Sequence, residues 1–471
     1  YVSDYEHAWS IVSAARHPAL GVCLDSFYIL SGGADVRGLR GIPGDKIFFV
    51  QLADATRPGN HVLRWGRHHR CFPGQGCLDV AGFMAETLAT GYDGPMSIEV
   101  FNDGLGQPDA ERVAVDAMRS LLLLEDDLEE SRLVGHGALP RPGALGGYTF
   151  IELTLDFGSL FVLEQLLHVM GFSNAAAHSS RRVDLWQQGA IRVVLSRDES
   201  ADAPQLAAIG VESTDPAGSL RRAQDLRATA VALREGPADP AISAITAPDG
   251  TGIFFCRTSQ DGGSSWRSDF RPLPDLGNHH PARLLAIDHV GLPQSLDCFD
   301  ESILFYRSVL GLAARAGDEQ VSPGGVSRSR ALADVRAGLR FVLNAEAPGD
   351  GRRGIVSAAQ HVAFSCKDVL STARSFIERG IPIVPVSHNY YDDLAARFEL
   401  EPALLRQLKD SDVLYDRTPD GEFLHFYVEV QGASLCFEVV ERRGLYSGYG
   451  AANAPVRDAA LGTRSVSAAG P

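Results

Sequence analysis

The feature that most constrains the fold is a weak internal repeat in residues 148–445. One helix-like segment ends in the sequence HVMGF at residues 168–172, and another ends in SVLGL at residues 308–312. Each segment follows an apolar, strand-like run and is followed by further strand-like runs. Because self-similarity of this kind indicates a duplicated structural unit, we predict two related halves, residues 148–275 and 283–445, built from βαβββ units.

The first 130 residues have a different rhythm, in which strand-like runs alternate with amphipathic helical patterns. The predicted strands cover residues 20–24, 46–52 and 96–101, and the predicted helices cover residues 78–90 and 110–124. Alternation of this kind is typical of βα units that form a parallel sheet or barrel. We therefore expect an α/β domain followed by an α+β domain.

Two stretches of biased composition delimit these domains. Residues 131–147 contain a Gly/Pro-rich run and are predicted to be an interdomain linker. Residues 456–471 are rich in Ala, Gly and Ser and are predicted to form a flexible tail. The chain begins at Tyr1, inside a helix-like pattern.

Composition narrows the classes of partner. The net charge is −16 and no Lys/Arg run is present, which argues against a nucleic-acid partner. No apolar stretch reaches the length of a membrane span and no signal peptide is recognisable. The seven cysteines form no CxxC pair, as expected in a reducing compartment. We expect a cytoplasmic protein with a small anionic substrate, and a homo-oligomer is an open prediction.

Three polar residues in the C-terminal half interrupt strand-like, apolar runs at nearly equal intervals. They are His289, His361 and Glu438. One such histidine alone is more often a hydrogen-bonded core residue than a ligand, but three in matching contexts favour a site. Two imidazoles and one carboxylate hold a divalent iron on one face and leave positions open for substrate.

The first half of the repeat provides a comparison for these positions. Its corresponding residues are read from the sequence as Glu152, Ile209 and the pair 254–255. Such a set would not hold iron in the same way. We therefore predict a metal site in the second half and a scaffold role for the first.

Three more polar residues end predicted parallel strands in the first 130 residues: Asp25, Gln51 and Glu99. Polar residues at the C-terminal ends of βα strands converge on the active face of a barrel. Oxygen donors of this kind suit Mg²⁺, Mn²⁺ or another hard cation. The alternative is that the two acids cap helices and that Gln51 is a solvated strand end.

The sequence RHHR at residues 67–70 is predicted to form a loop over this face. The guanidinium of Arg70 is suited to binding a carboxylate through two parallel hydrogen bonds. An ordinary surface cluster is the alternative interpretation.

Residues 148–455 resemble the 4-hydroxyphenylpyruvate dioxygenase family, which has the vicinal-oxygen-chelate fold. The matching sequences are QHVA at 360–363, YYDDL at 390–394, VLYDR at 413–417, FEVVERRG at 437–444 and GYGAAN at 448–453. The resemblance implies that His289, His361 and Glu438 bind Fe²⁺ or another divalent metal.

Residues 1–130 resemble the later part of sugar phosphate isomerase/epimerase TIM barrels that are fused to dioxygenase-like domains. The matching sequences are CLDSF at 23–27, VQLAD at 50–54, RHHR at 67–70 and SIEVFND at 97–103. This family includes bacterial 3-dehydroshikimate dehydratases. The resemblance implies a partial (βα)8 barrel in which Asp25, Gln51 and Glu99 are three of four ligands of Mg²⁺, Mn²⁺ or Co²⁺, and Arg70 binds substrate.

Two positions depart from the family pattern. The fourth ligand, a glutamate on an earlier strand, has no counterpart in this chain. Tyr28 stands where the family commonly has a histidine, and a phenol exchanges protons less readily near neutrality than an imidazole. His68, His69 and Tyr28 are the candidates for the catalytic proton-transfer group.

Three hypotheses follow. The first is a metal-dependent 3-dehydroshikimate dehydratase with an appended dioxygenase-like domain. The second is an Fe²⁺ dioxygenase that acts on an aryl 2-oxo acid through the C-terminal half. The third is a non-catalytic protein in which the C-terminal metal site senses or stabilises.

Overall fold

The structure is a computed structural model, and it describes most of the chain. The described residues are 2, 4–56, 66–103, 109–130, 139–140, 143–198, 203–231, 243–258, 266–274, 280–281, 283–315, 318–322, 325–346, 360–433 and 435–460. Most of the predicted linker and residues 461–471 of the predicted tail lie outside them. Residues 456–460 of that tail are helical, which differs from the predicted flexible segment.

The chain divides into two compact units. Unit 1 comprises residues 1–142, 221–229 and 297–311, and unit 2 comprises residues 143–220, 230–296 and 312–471. The two short insertions in unit 1 lie within the stretches predicted as the two repeat halves. The domain boundaries read from the sequence stay predictions.

Unit 1 contains a three-stranded parallel sheet in the order β1-β2-β3. Its strands are β1 (Val22–Asp25), β2 (Ile47–Leu52) and β3 (Met96–Ile98), and its first helices are α1 (Tyr5–Ala15), α2 (Ser26–Ser31), α3 (Val80–Leu88) and α4 (Ala110–Glu130). Alternate residues of β1, Val22 and Leu24, are buried against the helices. Strand, helix and parallel strand in succession are the repeating unit of a TIM barrel, as predicted.

Within the described residues, unit 2 contains two sheets of nine strands each. The first has the order β12-β5-β6-β7-β4-β8-β11-β10-β9. Its strands are β4 (Leu145–Leu155), β5 (Ser173–His178), β6 (Val183–Gln188), β7 (Ile191–Arg197), β8 (Gln205–Ser213), β9 (Thr229–Ala230), β10 (Ser243–Thr246), β11 (Gly252–Cys256) and β12 (Phe270–Pro272). Helices α5 (Phe157–Met170) and α6 (Pro216–Asp225) follow β4 and β8 in the chain.

The second sheet has the order β14-β16-β17-β13-β18-β21-β20-β19, with β15 paired to β16. Its strands are β13 (Leu284–Gln294), β14 (Ala313–Ala314), β15 (Asp318–Ser322), β16 (Gly325–Asp334), β17 (Leu339–Glu346), β18 (Gln360–Cys366), β19 (Leu414–Thr418), β20 (Gly421–Glu429) and β21 (Leu435–Gly444). Helices α8 (Val369–Glu378), α9 (His388–Arg397) and α10 (Pro402–Asp410) accompany this sheet, whereas α7 (Phe299–Leu310), which follows β13 in the chain, belongs to unit 1.

The two sheets share one topology. In each, a long first strand lies between a parallel and an antiparallel neighbour: β4 between β7 and β8, and β13 between β17 and β18. This equivalence confirms the predicted duplication and the predicted fold class. Within the described residues, no helix combines the length and the apolar character that crossing a membrane requires.

Candidate functional site

The three polar residues predicted in the second repeat half come together at one point in unit 2. The Nε2 atoms of His289 and His361 are 3.3 Å apart. Oε2 of Glu438 lies 3.1 Å from Nε2 of His289 and 3.8 Å from Nε2 of His361. All three side chains are buried. We refer to them as the three-residue centre.

Strand register explains why these residues meet. His361 on β18 is opposite Gly291 on β13, and Ala363 is opposite both His289 and Glu438. Alternate residues of a strand point to the same face. The three side chains therefore project from three neighbouring strands towards the same interior.

Gly291 makes room for one of the imidazoles. A Cβ atom built on Gly291 would overlap the ring of His361. Since the two residues are directly paired across the strands, only glycine gives this imidazole its position. The sequence reading did not single out Gly291.

The geometry fits a shared divalent cation. With ligand distances of about 2.1 Å, adjacent ligand atoms on one metal lie roughly 3.0–3.4 Å apart. Two of the three separations fall in this range and the third is slightly longer. Oε2 of Glu438 is buried and accepts no well-directed hydrogen bond within the described residues, although two ring nitrogens face it. A buried carboxylate oxygen in this situation is the expected environment of a metal ligand.

An outer set of residues orients His289. Its Nδ1 lies 2.8 Å from Oδ1 of Asp288, and Asp288 in turn accepts hydrogen bonds from Nε and Nη2 of Arg442 at 2.9 and 2.7 Å. Burial by itself would raise the pKa of Asp288, but the hydrogen bonds from His289 and Arg442 lower it below its usual value. A carboxylate on the remote nitrogen is the common support of a metal-bound histidine.

A second support, which sequence reasoning missed, holds Glu438. Oε1 of Glu438 is 2.6 Å from Nδ1 of His425, whose Nε2 accepts from the amide of Asn453 at 2.9 Å. Because the amide is a donor, the ring proton of His425 is on Nδ1 and is donated to Glu438. Oδ1 of Asn453 accepts from the hydroxyl of Tyr390 at 3.1 Å.

A signal for His425 was present in the sequence. It lies on β20, which pairs with the strand that carries Glu438, and it alternates with Phe423 and Tyr427 on an otherwise apolar face. A polar residue in such an alternation, on the strand next to a ligand strand, is a candidate support.

The charges of the three-residue centre act on one another. Burial is the largest influence on the pKa of His289 and lowers it, but Glu438 and Asp288 together raise that pKa above its ordinary value. Burial would raise the pKa of Glu438, yet the neighbouring imidazoles hold it well below its usual range. The carboxylate is therefore ionised, as a metal ligand must be.

The equivalent positions in the first half differ from those read from the sequence. Aligning the paired strands by register places Phe150 at the position of His289, Ala208 at that of His361 and Phe254 at that of Glu438. The readings Glu152 and Ile209 were wrong by two residues and by one, because strand bulges are invisible in a sequence. The rings of Phe150 and Phe254 pack with centroids 5.7 Å apart.

In unit 1, the other predicted ligands lie at the same ends of neighbouring strands. Asp25 is directly paired with Gln51, and the backbone N–H of Glu99, one residue beyond β3, donates to the carbonyl of Leu52 at 2.9 Å. Asp25 and Glu99 both raise the pKa of the Cys23 thiol, after the larger effect of its partial burial.

Asp25 is held in place from two directions. Its Oδ1 accepts from the backbone N–H of Phe27 and Tyr28 at 2.9 and 3.3 Å and caps α2, as the alternative reading expected. Its Oδ2 accepts from Nη1 of Arg70 at 3.0 Å. By contrast, the half-buried carboxylate of Glu99 has no hydrogen-bond partner among the described residues. An open carboxylate at the sheet edge that also carries Asp25 and Gln51 fits a hard cation.

Arg70 is buried instead of being displayed on a loop. Its guanidinium also donates to the carbonyls of Gly66 and Glu99, at 2.8 and 3.0 Å, and lies over the rings of Phe27 and Tyr28. In this arrangement it positions Asp25 and Glu99. A role in substrate binding stays a prediction.

The three predicted proton-transfer residues lie near this face. Tyr28 is half exposed and its ring faces Arg70. His68 is half exposed, with Nδ1 3.1 Å from the carboxylate of Asp103. His69 pairs through its backbone with Asn102.

Asp54 is a buried residue that the sequence reading did not assign. Its carboxylate accepts backbone N–H groups from Ala55, Gly74, Gly76 and Leu78 at 2.7–3.1 Å. It thereby fixes the loop that follows Arg70.

Three family models match the chain. Residues 1–123 match the xylose isomerase-like TIM barrel, residues 140–271 match the N-terminal region of hydroxyphenylpyruvate dioxygenase, and residues 286–426 match the glyoxalase/bleomycin resistance protein/dioxygenase superfamily. The last match implies binding of a divalent metal.

Curated relatives match almost the whole chain. A 3-dehydroshikimate dehydratase of Pseudomonas putida is 38% identical over 491 residues, which cover 98% of this chain and 76% of the relative. The corresponding protein of Pseudomonas aeruginosa is 37% identical over 487 residues, with the same coverage.

A solved structure has the same architecture. A xylose isomerase-like TIM barrel/4-hydroxyphenylpyruvate dioxygenase fusion protein superposes with a TM-score of 0.86 at 36% identity, covering 98% of this chain and 77% of its own. A 4-hydroxymandelate synthase from Streptomyces coelicolor, with a TM-score of 0.57 at 19% identity, shares the fold.

Proposed function

Because the chain belongs to the family of 3-dehydroshikimate dehydratases that join a xylose isomerase-like barrel to a 4-hydroxyphenylpyruvate dioxygenase-like region, we propose that it converts 3-dehydroshikimate to protocatechuate and water. The observation that carries this proposal is the set of oxygen donors in unit 1. Asp25, Gln51 and Glu99 lie at the carboxyl ends of three adjacent parallel strands, the edge at which barrel enzymes place their chemistry.

The donor set would hold Mg²⁺, Mn²⁺ or Co²⁺. When bound, such an ion would stabilise the negative charge that develops on the ketone oxygen during enolisation. Arg70 keeps the Asp25 carboxylate in place through its 3.0 Å contact, and the contact of the same nitrogen with the Glu99 carbonyl fixes the end of β3. Arg70 therefore positions the ligand residues, and other side chains carry out the proton transfer.

The reaction requires one proton to leave the carbon next to the ketone and one hydroxyl to leave the β carbon as water. His68 is suited to accept the proton, since Asp103 lies 3.1 Å from its Nδ1 and can orient the ring. Tyr28 and His69 are the further candidates. The product aromatises once water has left.

The decisive test is Glu99→Gln in the full chain, assayed with 3-dehydroshikimate and each divalent metal. We expect the rate of protocatechuate formation to fall at least about 100-fold, because one ligand oxygen loses its charge. The matched control is Glu111→Gln, an exposed acid on α4 of the same unit, which should retain full activity. His361→Ala should also retain it. A Glu99→Gln protein with wild-type activity would refute the assignment.

The three-residue centre favours a second candidate function in unit 2. Two histidines and one glutamate with separations of 3.1–3.8 Å suit Fe²⁺. If unit 2 oxidises an aryl 2-oxo acid, oxygen consumption with that substrate should require both His361 and Glu438. If metal binds tightly without oxygen consumption, a sensing or stabilising role is favoured.

A further inference from the structure

A cavity of about 350 Å³ lies beside His361 in unit 2. Its walls come from β16 and β17, from residues 446–452 and from the helical residues 454–460. Small-molecule sites have volumes of roughly 300–1,000 Å³, so this cavity is at the small end of that range. It suits a ligand with a single ring.

The charged residues around the cavity leave it positive. Three arginines and two aspartates line it: Arg315, Arg328, Arg457, Asp416 and Asp458. Asp458 already accepts a hydrogen bond from Nε of Arg457 at 2.8 Å, and Asp416 accepts one from the hydroxyl of Tyr446 at 2.5 Å. In a chain with a net charge of −16, a positively charged recess attracts anions selectively.

Arg315 is the cation best placed to hold an anionic ligand. Its Nη1 donates to the carbonyl of Ser447 at 3.0 Å, and among the described residues it pairs with no carboxylate. Its backbone is fixed by hydrogen bonds to the carbonyl of Ala331 and from the side chain of Arg330. The guanidinium is therefore anchored, and no carboxylate of the described residues neutralises its charge.

The same loop connects Arg315 to the three-residue centre. Tyr449, two residues after Ser447, packs its ring against His289 with a centroid distance of 5.3 Å. Ser329 on β16 and Asn344 on β17 are paired across the two strands, and they line the cavity with a hydroxyl and an amide. Arg315 and His361 both line the cavity, so a ligand held at Arg315 shares this space with the three-residue centre.

We propose that this cavity binds a one-ring carboxylate whose anionic group is held by Arg315 and whose ring hydroxyls face the three-residue centre. The proposed function supplies such a molecule, because protocatechuate is a ring carboxylate with two adjacent hydroxyls. The choice of protocatechuate as the ligand thus rests on the proposed function, whereas the requirement for an anionic group rests on the charged residues that line the cavity.

The test is calorimetric binding of 3,4-dihydroxybenzoate and of catechol to the full chain loaded with Zn²⁺. We expect the acid to bind at least about 10-fold more tightly than the neutral diol. Arg315→Gln should weaken binding of the acid by about 10- to 100-fold, the effect of one charge-assisted contact, and leave catechol binding unchanged. Arg315→Lys should retain most of the preference.

The controls separate this site from the barrel. Arg336→Gln, on the exposed turn between β16 and β17, should bind both ligands like wild type. Glu99→Gln should keep the preference for the acid, and Arg315→Gln should keep the dehydratase rate. If the wild type binds both ligands equally, or if the acid binds Arg315→Gln normally and Glu99→Gln poorly, the proposal is overturned. If the wild type shows no dehydratase activity but still binds the acid more tightly than catechol, only the proposed function is refuted.

Discussion

At the scale of single residues, a few side chains decide which half of the duplicated region has a metal-type centre. Register places Phe150 and Phe254 in one half where His289 and Glu438 stand in the other. In the first half, the contacting rings of Phe150 and Phe254 stand at the positions that two ligand side chains occupy in the second half. The difference between scaffold and site is therefore a matter of side-chain chemistry on a common backbone.

The most local prediction concerns Gly291. Replacement by alanine places a methyl group where the ring of His361 lies, so the imidazole must move. We expect Gly291→Ala to bind metal in unit 2 at least about 10-fold more weakly, as measured by competition with a chelator, because ligand geometry sets affinity. Gly147→Ala is the matched control, since a Cβ there meets only an ordinary contact. Equal affinities in both variants would show that His361 adapts.

At the scale of elements, helix α4 carries a buried ion pair in unit 1. Asp116 accepts from Nη1 of Arg119 at 3.3 Å and from the amide of Gln75 at 2.5 Å. Burial, with smaller contributions from the carboxylates of Glu301 and Asp300, raises the pKa of Asp116 to about 7, although Arg119 opposes the change. Packing of this helix against α7 therefore includes an acid that resists ionisation.

This shift predicts a pH-dependent stability. A carboxyl whose pKa is raised by folding favours the protonated form, so its contribution to stability is lost as pH rises from about 4 through about 7. Relative to Asp116→Asn, the wild type should lose at most about 4 kcal/mol of unfolding free energy across that window. Urea unfolding at pH 5 and pH 8 measures the difference. The exposed Asp93→Asn should follow the wild type, and a parallel pH dependence in Asp116→Asn would contradict the shift.

At the scale of the whole molecule, two donor sets of different chemistry lie in different units. Asp25, Gln51 and Glu99 offer only oxygen, whereas the three-residue centre offers two nitrogens and one oxygen. Hard cations prefer the first set and iron or zinc suits the second. Under the proposed function, the barrel therefore binds a hard cation and unit 2 binds a different metal.

The corresponding prediction is a metal content of two ions per chain. Elemental analysis after dialysis against Mn²⁺ and Zn²⁺ should find both metals in the wild type. Glu99→Gln should lose mainly Mn²⁺ and His361→Ala mainly Zn²⁺, each with the other metal retained. Loss of both metals in either variant would indicate that the sites are not independent.

Much of this organisation was predictable from the sequence. Alternation of apolar residues and the repeated helix ends predicted the duplicated sheets, and polar residues at strand positions predicted His289, His361 and Glu438 as neighbours. Such patterns are local, so a sequence displays them directly. The barrel segment was recognisable for the same reason, from strand ends at Asp25 and Gln51.

Apart from the alternation that marks His425, the supports of these residues were not predictable, because they come from distant parts of the chain. Arg442 reaches Asp288 and Asn453 reaches His425 across intervals that carry no pattern. The space left by Gly291 exists only once β18 lies beside β13. The sequence by itself determined which residues have the chemistry of ligands, and tertiary structure decided which of them are held, shielded from water and given room, since those properties arise from pairing and packing between strands far apart in the chain.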